Sequence, residues 1–255
     1  MTRRRRLLGV YARIARIYRA WATRLFALAV VVFIPLGFVD ALLEQVDTSS
    51  LDVTEGFKVA ALLAALAAVT ASSLFGEVFF SGAIAASLTH PEDEESPGFA
   101  HLARHISYGK LILVDILFVL MLVLGTFVFI LPGVLVFVYL SLAGPVVELE
   151  KLGIVAGFKR SFGLVRGHFW MAAGVLIPVE IVGDGVNEAL VDAAHSLLGH
   201  GLLSSWVGEA IGNIVTAPVV SVAIVVLTLD LIHHRDGDAP KLKRQPAAMV
   251  AGEAA

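Results

Sequence analysis

Residues 111–147 read LILVDILFVLMLVLGTFVFILPGVLVFVYLSLAGPVV, and Asp115 is the one charged position in all 37. A hydrocarbon core about 30 Å thick is crossed by roughly 20 apolar helical residues. The run is therefore close to two crossings. Leu131-Pro132-Gly133 interrupts it with the residues that punctuate a helix, so the expectation is a helical hairpin with a tight turn at those three positions.

The rest of the chain extends the pattern. Of 255 residues, 58% are hydrophobic and 16% charged, with a mean hydropathy of +0.85. Soluble domains average about 45–50% and about 25%. A soluble core cannot hide this much apolar surface, which excludes a disordered chain, a secreted disulfide scaffold and an ordinary soluble enzyme. The absence of cysteine removes disulfides, thiolate ligands, a cysteine nucleophile and cysteine lipidation. The predicted fold class is all-α, a polytopic membrane helical bundle with about six transmembrane helices. They are placed at Leu25–Val46, Phe57–Leu88, Lys110–Leu131, Gly133–Val147, Phe169–Leu190 and Leu203–Ile232, the fourth being short for a full crossing.

The net charge of −3 conceals a steep polarity. With six spans, 18 of the 19 Lys and Arg fall on one side and only Lys58 on the other. The positive-inside rule then places both termini in the cytoplasm of a plasma-membrane protein. The opposite segments, 47–58 and 184–205, carry Asp47, Asp52, Glu55, Asp184, Glu188 and Asp192. About 24 residues precede the first long apolar stretch, which reads as a retained span and not a cleaved leader.

Residues 1–24 form a predicted basic amphipathic helix. Val10, Ile14, Ile17, Trp21 and Leu25 share one face, with Arg13, Arg16 and Arg24 mostly outside it. Such a helix lies in the headgroup layer, drawn to anionic lipid by about 1 kcal/mol per cation. Next to a span, lipid anchoring is a better reading of Arg3–Arg6 than nucleic-acid binding. Before the fifth span, Ile154, Phe158, Phe162, Val165 and Phe169 repeat the design with Lys159, Arg160 and Arg166. Those three cations join Arg13, Arg16 and Arg24 as candidate headgroup contacts. Phe26…Pro35 and Phe169…Pro178 share one spacing, and residues 79–84 align with 219–224. These matches suggest a parallel repeat, 7–89 and 151–232, around the hairpin 110–150. The membrane domain is then 25–232, with a disordered cytoplasmic tail at 233–255.

The turn Leu131-Pro132-Gly133, the run Ala143-Gly144-Pro145 to Glu150, the triplet Lys159-Arg160-Ser161 and Arg166-Gly167-His168-Phe169-Trp170 together form a pattern. It resembles the YciC-like bacterial integral membrane proteins, related to the membrane domain fused to some glycerophosphodiester phosphodiesterases. The resemblance covers nearly the whole chain. It implies a membrane domain without an assigned activity and transfers no catalytic residue. The phosphodiesterase barrel has no counterpart here, since only a short tail follows the sixth span.

Ionisable groups at membrane depth are costly and are functional candidates by default. Glu77, Asp115, Glu180 and Asn213 form the candidate intramembrane polar site, and Glu77, Glu180 and Asn213 are expected to line a cavity. The competing reading has these groups protonated or hydrogen-bonded between helices. Pro35, Pro145, Pro178 and Pro218 should break or kink spans and free backbone carbonyls. His101 and His105, near Glu92–Glu95, read as a solvated connector and not a metal site, and Gly153–Gly157 as a close-packing motif. No nucleophile elbow, phosphate loop or dinucleotide fingerprint occurs. No catalytic residue, cofactor or metal is therefore expected. The leading expectation is a non-catalytic membrane scaffold or a lipid- or partner-interacting module, with anionic lipids, a protein or a second copy as partner. The alternative is a transporter, channel or lipid-translocating protein. A cavity joining Glu77 to Glu180 favours the second, and tight packing the first.

Overall fold

The computed structural model describes residues 3–44, 77–88 and 107–236. Among them the regular structure is entirely α-helical. It comprises α1 (Arg3–Glu44), α2 (Glu77–Leu88), α3 (Tyr108–Val128), α4 (Ile130–Leu140), α5 (Ala143–Leu149), α6 (Ile154–Arg166), α7 (Phe169–Leu198) and α8 (Leu202–Asp236). Four helical stretches are long and apolar enough to cross a membrane: α3, α4 with α5, α7 and α8. A fifth follows if the two arms of α1, Leu7–Thr23 and Leu25–Phe38, are taken as one bent span. Most of the second expected span, as well as Lys58, His101 and His105, lies outside the described residues, as does the Arg24 side chain.

The bend between those arms is 77°. It falls where the basic amphipathic pattern gives way to the apolar one. The second amphipathic segment, α6, ends at Gly167 and His168 before α7 begins.

Prolines set the helix boundaries in the hairpin. A proline has no N–H for the carbonyl four residues back, and its ring crowds that carbonyl. For Pro132 that carbonyl is Val128, the last residue of α3. Phe129 is extended (φ −170°, ψ 154°), and α4 restarts at Ile130. The turn is thus the single residue Phe129. Leu131-Pro132-Gly133, expected as the turn, is instead the first turn of α4, where a missing N–H costs no hydrogen bond. Gly133 and Gly125 face each other here, and a side chain at 133 would run into Thr126. Pro145 acts the same way on Ser141 and separates α4 from α5. The two pieces together span Ile130–Leu149, 20 residues, which gives the short fourth candidate a full crossing length.

α8 is the central post. Residues 220–229 are buried without interruption, as expected of a helix that is apolar all round. α7 and α1 pack along its length, and α2 wedges between α8, α3 and α5. The α2–α5 approach is close because Gly144 leaves space for the Val78 carbonyl. Gly82 sits directly against the Leu111 side chain. Of the expected packing pair, Gly157 lies against Val147, whereas Gly153 is the open N-cap of α6.

Polar contacts gather at one end of the bundle. Arg13 pairs with Asp230, and Arg160 with both Glu150 and Asp236. His168 stacks on His234 at 6.1 Å, and the buried Glu148 accepts from the Ser107 amide (2.8 Å) and from Lys151 (2.9 Å). At the other end, Trp206 donates to the Ile34 carbonyl (2.9 Å) and meets Phe38 edge-on. The chain thus folds back so that the beginning of α1 and the end of α8 share one end.

The Arg160 guanidinium, bidentate on Glu150 at 2.8–3.0 Å, has its pKa raised chiefly by that hydrogen bonding. Half-buried pairs of this kind contribute about 1 kcal/mol. Arg160→Ala should therefore lower the thermal midpoint of the purified protein by roughly 2–4 °C, an effect that 1 M salt should partly reproduce in the natural protein.

Candidate functional site

Three of the four helices around the site carry a polar residue on a face that is otherwise apolar. On α7, Glu180, Asp184 and Asn187 recur at steps of four and three, one side of a helix, with Gly183 between them. On α8, Asn213 and Thr216 are three apart. α2 contributes Glu77 and α1 contributes Phe33. These residues, with Ala217 and Val220, line one cavity of about 30 Å³. At 1.5 Å per residue, Glu180 lies about 17 Å beyond the start of α7 and Asn213 about 17 Å beyond the start of α8. Both residues therefore lie about three turns inside their helices.

Glu77, Glu180 and Asn213 thus meet in one place. Asp115 is not among the lining residues: it is buried on α3, on the face with Leu111, Val114 and Phe118, within electrostatic reach of Glu77. The sequence reading passed over Asp184, Asn187 and Thr216 as cavity residues. The four-and-three spacing from Glu180, and the three from Asn213, was the signal that could have found them.

The cavity chemistry is acidic and oxygen-rich. Both carboxylate oxygens of Glu77 and one of Glu180 are buried and accept no hydrogen bond from the described residues. Among those residues no Lys, Arg or His lines the cavity. Asn187 donates its amide N–H to Glu209 (3.3 Å), which turns its carbonyl oxygen inward against Gly212. A methyl group at 212 would occupy the place of that oxygen. Gly212→Ala should therefore swing the Asn187 amide away and disturb the cavity more than a Gly→Ala change normally disturbs a helix. A chemical shift change at an isotope-labelled Asn187 side chain would register it, and an unmoved resonance would contradict it.

Pro178 leaves the Gly174 carbonyl without its helical donor, and the Tyr11 hydroxyl supplies one at 2.9 Å. This bond ties the Leu7–Thr23 arm of α1 to α7, six residues before Glu180.

Two of the candidate headgroup cations are engaged within the protein. Arg13 and Arg160 hold carboxylates of α8 and of the α5–α6 junction, so they act as struts between helices. Arg16, Lys159 and Arg166 are exposed. Among the described residues, no group of three or more His, Asp and Glu could hold a metal ion. Set against family models, curated proteins and solved structures, the chain matches none of them.

Proposed function

We propose that this chain is a six-span, non-catalytic plasma-membrane protein with both termini cytoplasmic, and that its work is the passage of a small polar species through the cavity. The observation that carries the transport reading is the meeting of Glu77 and Glu180 in one cavity with no basic side chain among its described lining residues. A scaffold has no use for such carboxylates, which cost several kcal/mol each inside a membrane unless paired. The cavity is too small for a lipid headgroup, which favours solute or ion passage over lipid translocation.

The topology rests on the cation distribution together with the Arg13–Asp230 contact, which joins the first and last helices at one end. The resemblance to YciC-like proteins is in keeping with a membrane domain that carries no enzyme. Anionic lipid is the natural partner of that end, through the exposed Arg16, Lys159 and Arg166.

The chain has no cysteine, so topology is directly testable. His200→Cys should react with an impermeant maleimide on intact cells, and Arg235→Cys only after permeabilisation. Reversed labelling would overturn the orientation. For transport, the full chain in vesicles containing anionic lipid should give proton or alkali-cation flux, at least tenfold slower for Glu180→Gln. Absence of flux, or an unchanged rate in that variant, would sink the transport reading.

A further inference from the structure

The exposed cations of α6 have a third neighbour on α8, and what they form together rests on taking that end of the bundle as the membrane surface. We propose that Lys159, Arg166 and Arg235 make a discrete site, between α6 and the end of α8, for the headgroup phosphate of one anionic phospholipid.

Convergence of charge is the first observation. On α6, Lys159, Gly163 and Arg166 follow one another at steps of four and three, so the two cations stand on one side, a turn before and a turn after the glycine. The last turn of α8 sets Arg235 on that glycine: a Cβ at 163 would fall 2.8 Å from a guanidinium nitrogen. All three cations are exposed. Lys159 and Arg166 are about 10 Å apart along the helix axis, close enough for long side chains to close on one phosphate from both sides. Each guanidinium can give a phosphate two parallel N–H bonds, and Lys159 adds a compact third charge. Arg160 lies on the other flank of Gly163, where it holds Glu150 and Asp236. The clasp and the proposed site therefore use different cations.

The surroundings favour a lipid over a soluble anion. Val155, Lys159, Phe162 and Arg166 recur at steps of four, three and four, which is one helical face. Its apolar members stay at the surface: Val155 is 66% exposed and Phe162 44%, with Trp170 70% exposed at the start of α7. Cations interleaved with exposed apolar and aromatic side chains, beside the start of a span, suit the headgroup layer, where rings meet acyl chains and cations meet phosphate. Basic pockets between membrane helices at the cytoplasmic surface hold anionic headgroups in this way.

The experiment uses the purified full chain in detergent. Its thermal midpoint is followed as palmitoyl-oleoyl phosphatidylglycerol is added, against phosphatidylcholine with the same acyl chains and against inorganic phosphate. Phosphatidylglycerol should raise the midpoint saturably by mass action, and the other two should not. Gly163→Ala keeps every charge but puts a methyl group where the Arg235 guanidinium lies. The flexible arginine can move aside, so the fold survives while the apparent affinity falls about tenfold, the worth of one charge-assisted hydrogen bond. Arg235→Gln and Lys159→Gln should weaken it similarly. Arg16→Gln, exposed on α1, should leave it unchanged.

An affinity indifferent to Gly163→Ala would overturn the site, because a diffuse cationic surface, or cations held by an acid of this chain, has no use for that glycine. If Arg16→Gln also weakened it as much as Arg235→Gln, the site would fall and general anchoring to anionic lipid would stand. A midpoint raised equally by inorganic phosphate would overturn the lipid assignment. Phosphatidylcholine acting as strongly as phosphatidylglycerol would remove both the site and the anionic-lipid reading of this end.

Discussion

Glu77→Leu should yield a protein that is more stable than the natural one and no longer transports. A buried carboxylate whose oxygens accept no hydrogen bond carries its desolvation penalty uncompensated, about 1–3 kcal/mol. An apolar side chain of similar volume removes that penalty and packs against Phe33 and the α7–α8 face. Replacing buried ionic groups by well-packed apolar ones has stabilised other proteins in the same sense. For a chain of this length each kcal/mol moves the midpoint by about 2–4 °C, so a rise of roughly 2–12 °C is expected in N-methylglucamine chloride. A fall would mean that Glu77 braces the helices, and the functional reading of the cavity would lose its strongest support. The sign matters because residues kept for activity at the expense of stability are the ones whose removal stabilises.

Gly144→Val should be the most damaging single change among the described glycines of the hairpin and α5. A Cβ at 144 meets the carbonyl oxygen and backbone of Val78, and a backbone cannot rotate aside as a side chain can. Overpacking of this kind costs about 3 kcal/mol or more, equivalent to roughly 6–12 °C in the midpoint or to loss of folded protein altogether. Gly144→Ala should fall between. Gly185→Ala, where nothing lies within 4 Å, should be neutral or slightly stabilising, as alanine is the better helix former. If Gly144→Val and Gly185→Ala melt alike, α2 does not seat on α5 as described.

Much of this fold could be read from periodicity and from proline. The run 111–147 announces two crossings joined in the middle, and α3 to α5 are that hairpin. The turn was misplaced by three residues because proline acts on the carbonyl four positions before it, so the break precedes Leu131-Pro132-Gly133. The amphipathic pattern of 1–24 ends where α1 bends. What the sequence hides is pairing across long separations. Arg13 and Arg160 read as lipid-headgroup contacts because Asp230 and Asp236, to which they pair, are remote in the chain. The motif residues Glu150, Arg160 and Ser161 suggested a family; in space they form a clasp, with Ser161 donating to the Tyr139 carbonyl at 2.7 Å. At the cavity, Glu77, Glu180 and Asn213 stand out as polar residues in apolar surroundings. Asp184 and Asn187 lie where the apolar pattern of α7 is already fading, so only their shared face with Glu180 marks them.

The seating of α1 against α8 has a consequence for the order of events during synthesis. Tyr11 waits for Gly174, and Arg13 for Asp230, 163 and 217 residues later. At about 5–20 residues per second, the first helix spends roughly 10–40 s in the bilayer before its principal neighbour leaves the ribosome. Until then its buried face, Val10, Ile14, Leu25, Ala29 and Phe33, lacks that neighbour, and only helices made earlier, such as α2 through Phe80, can cover part of it. A chain that ends before α8 therefore leaves the first helix stranded, and quality-control proteases should read such a product at its beginning as much as at its cut end.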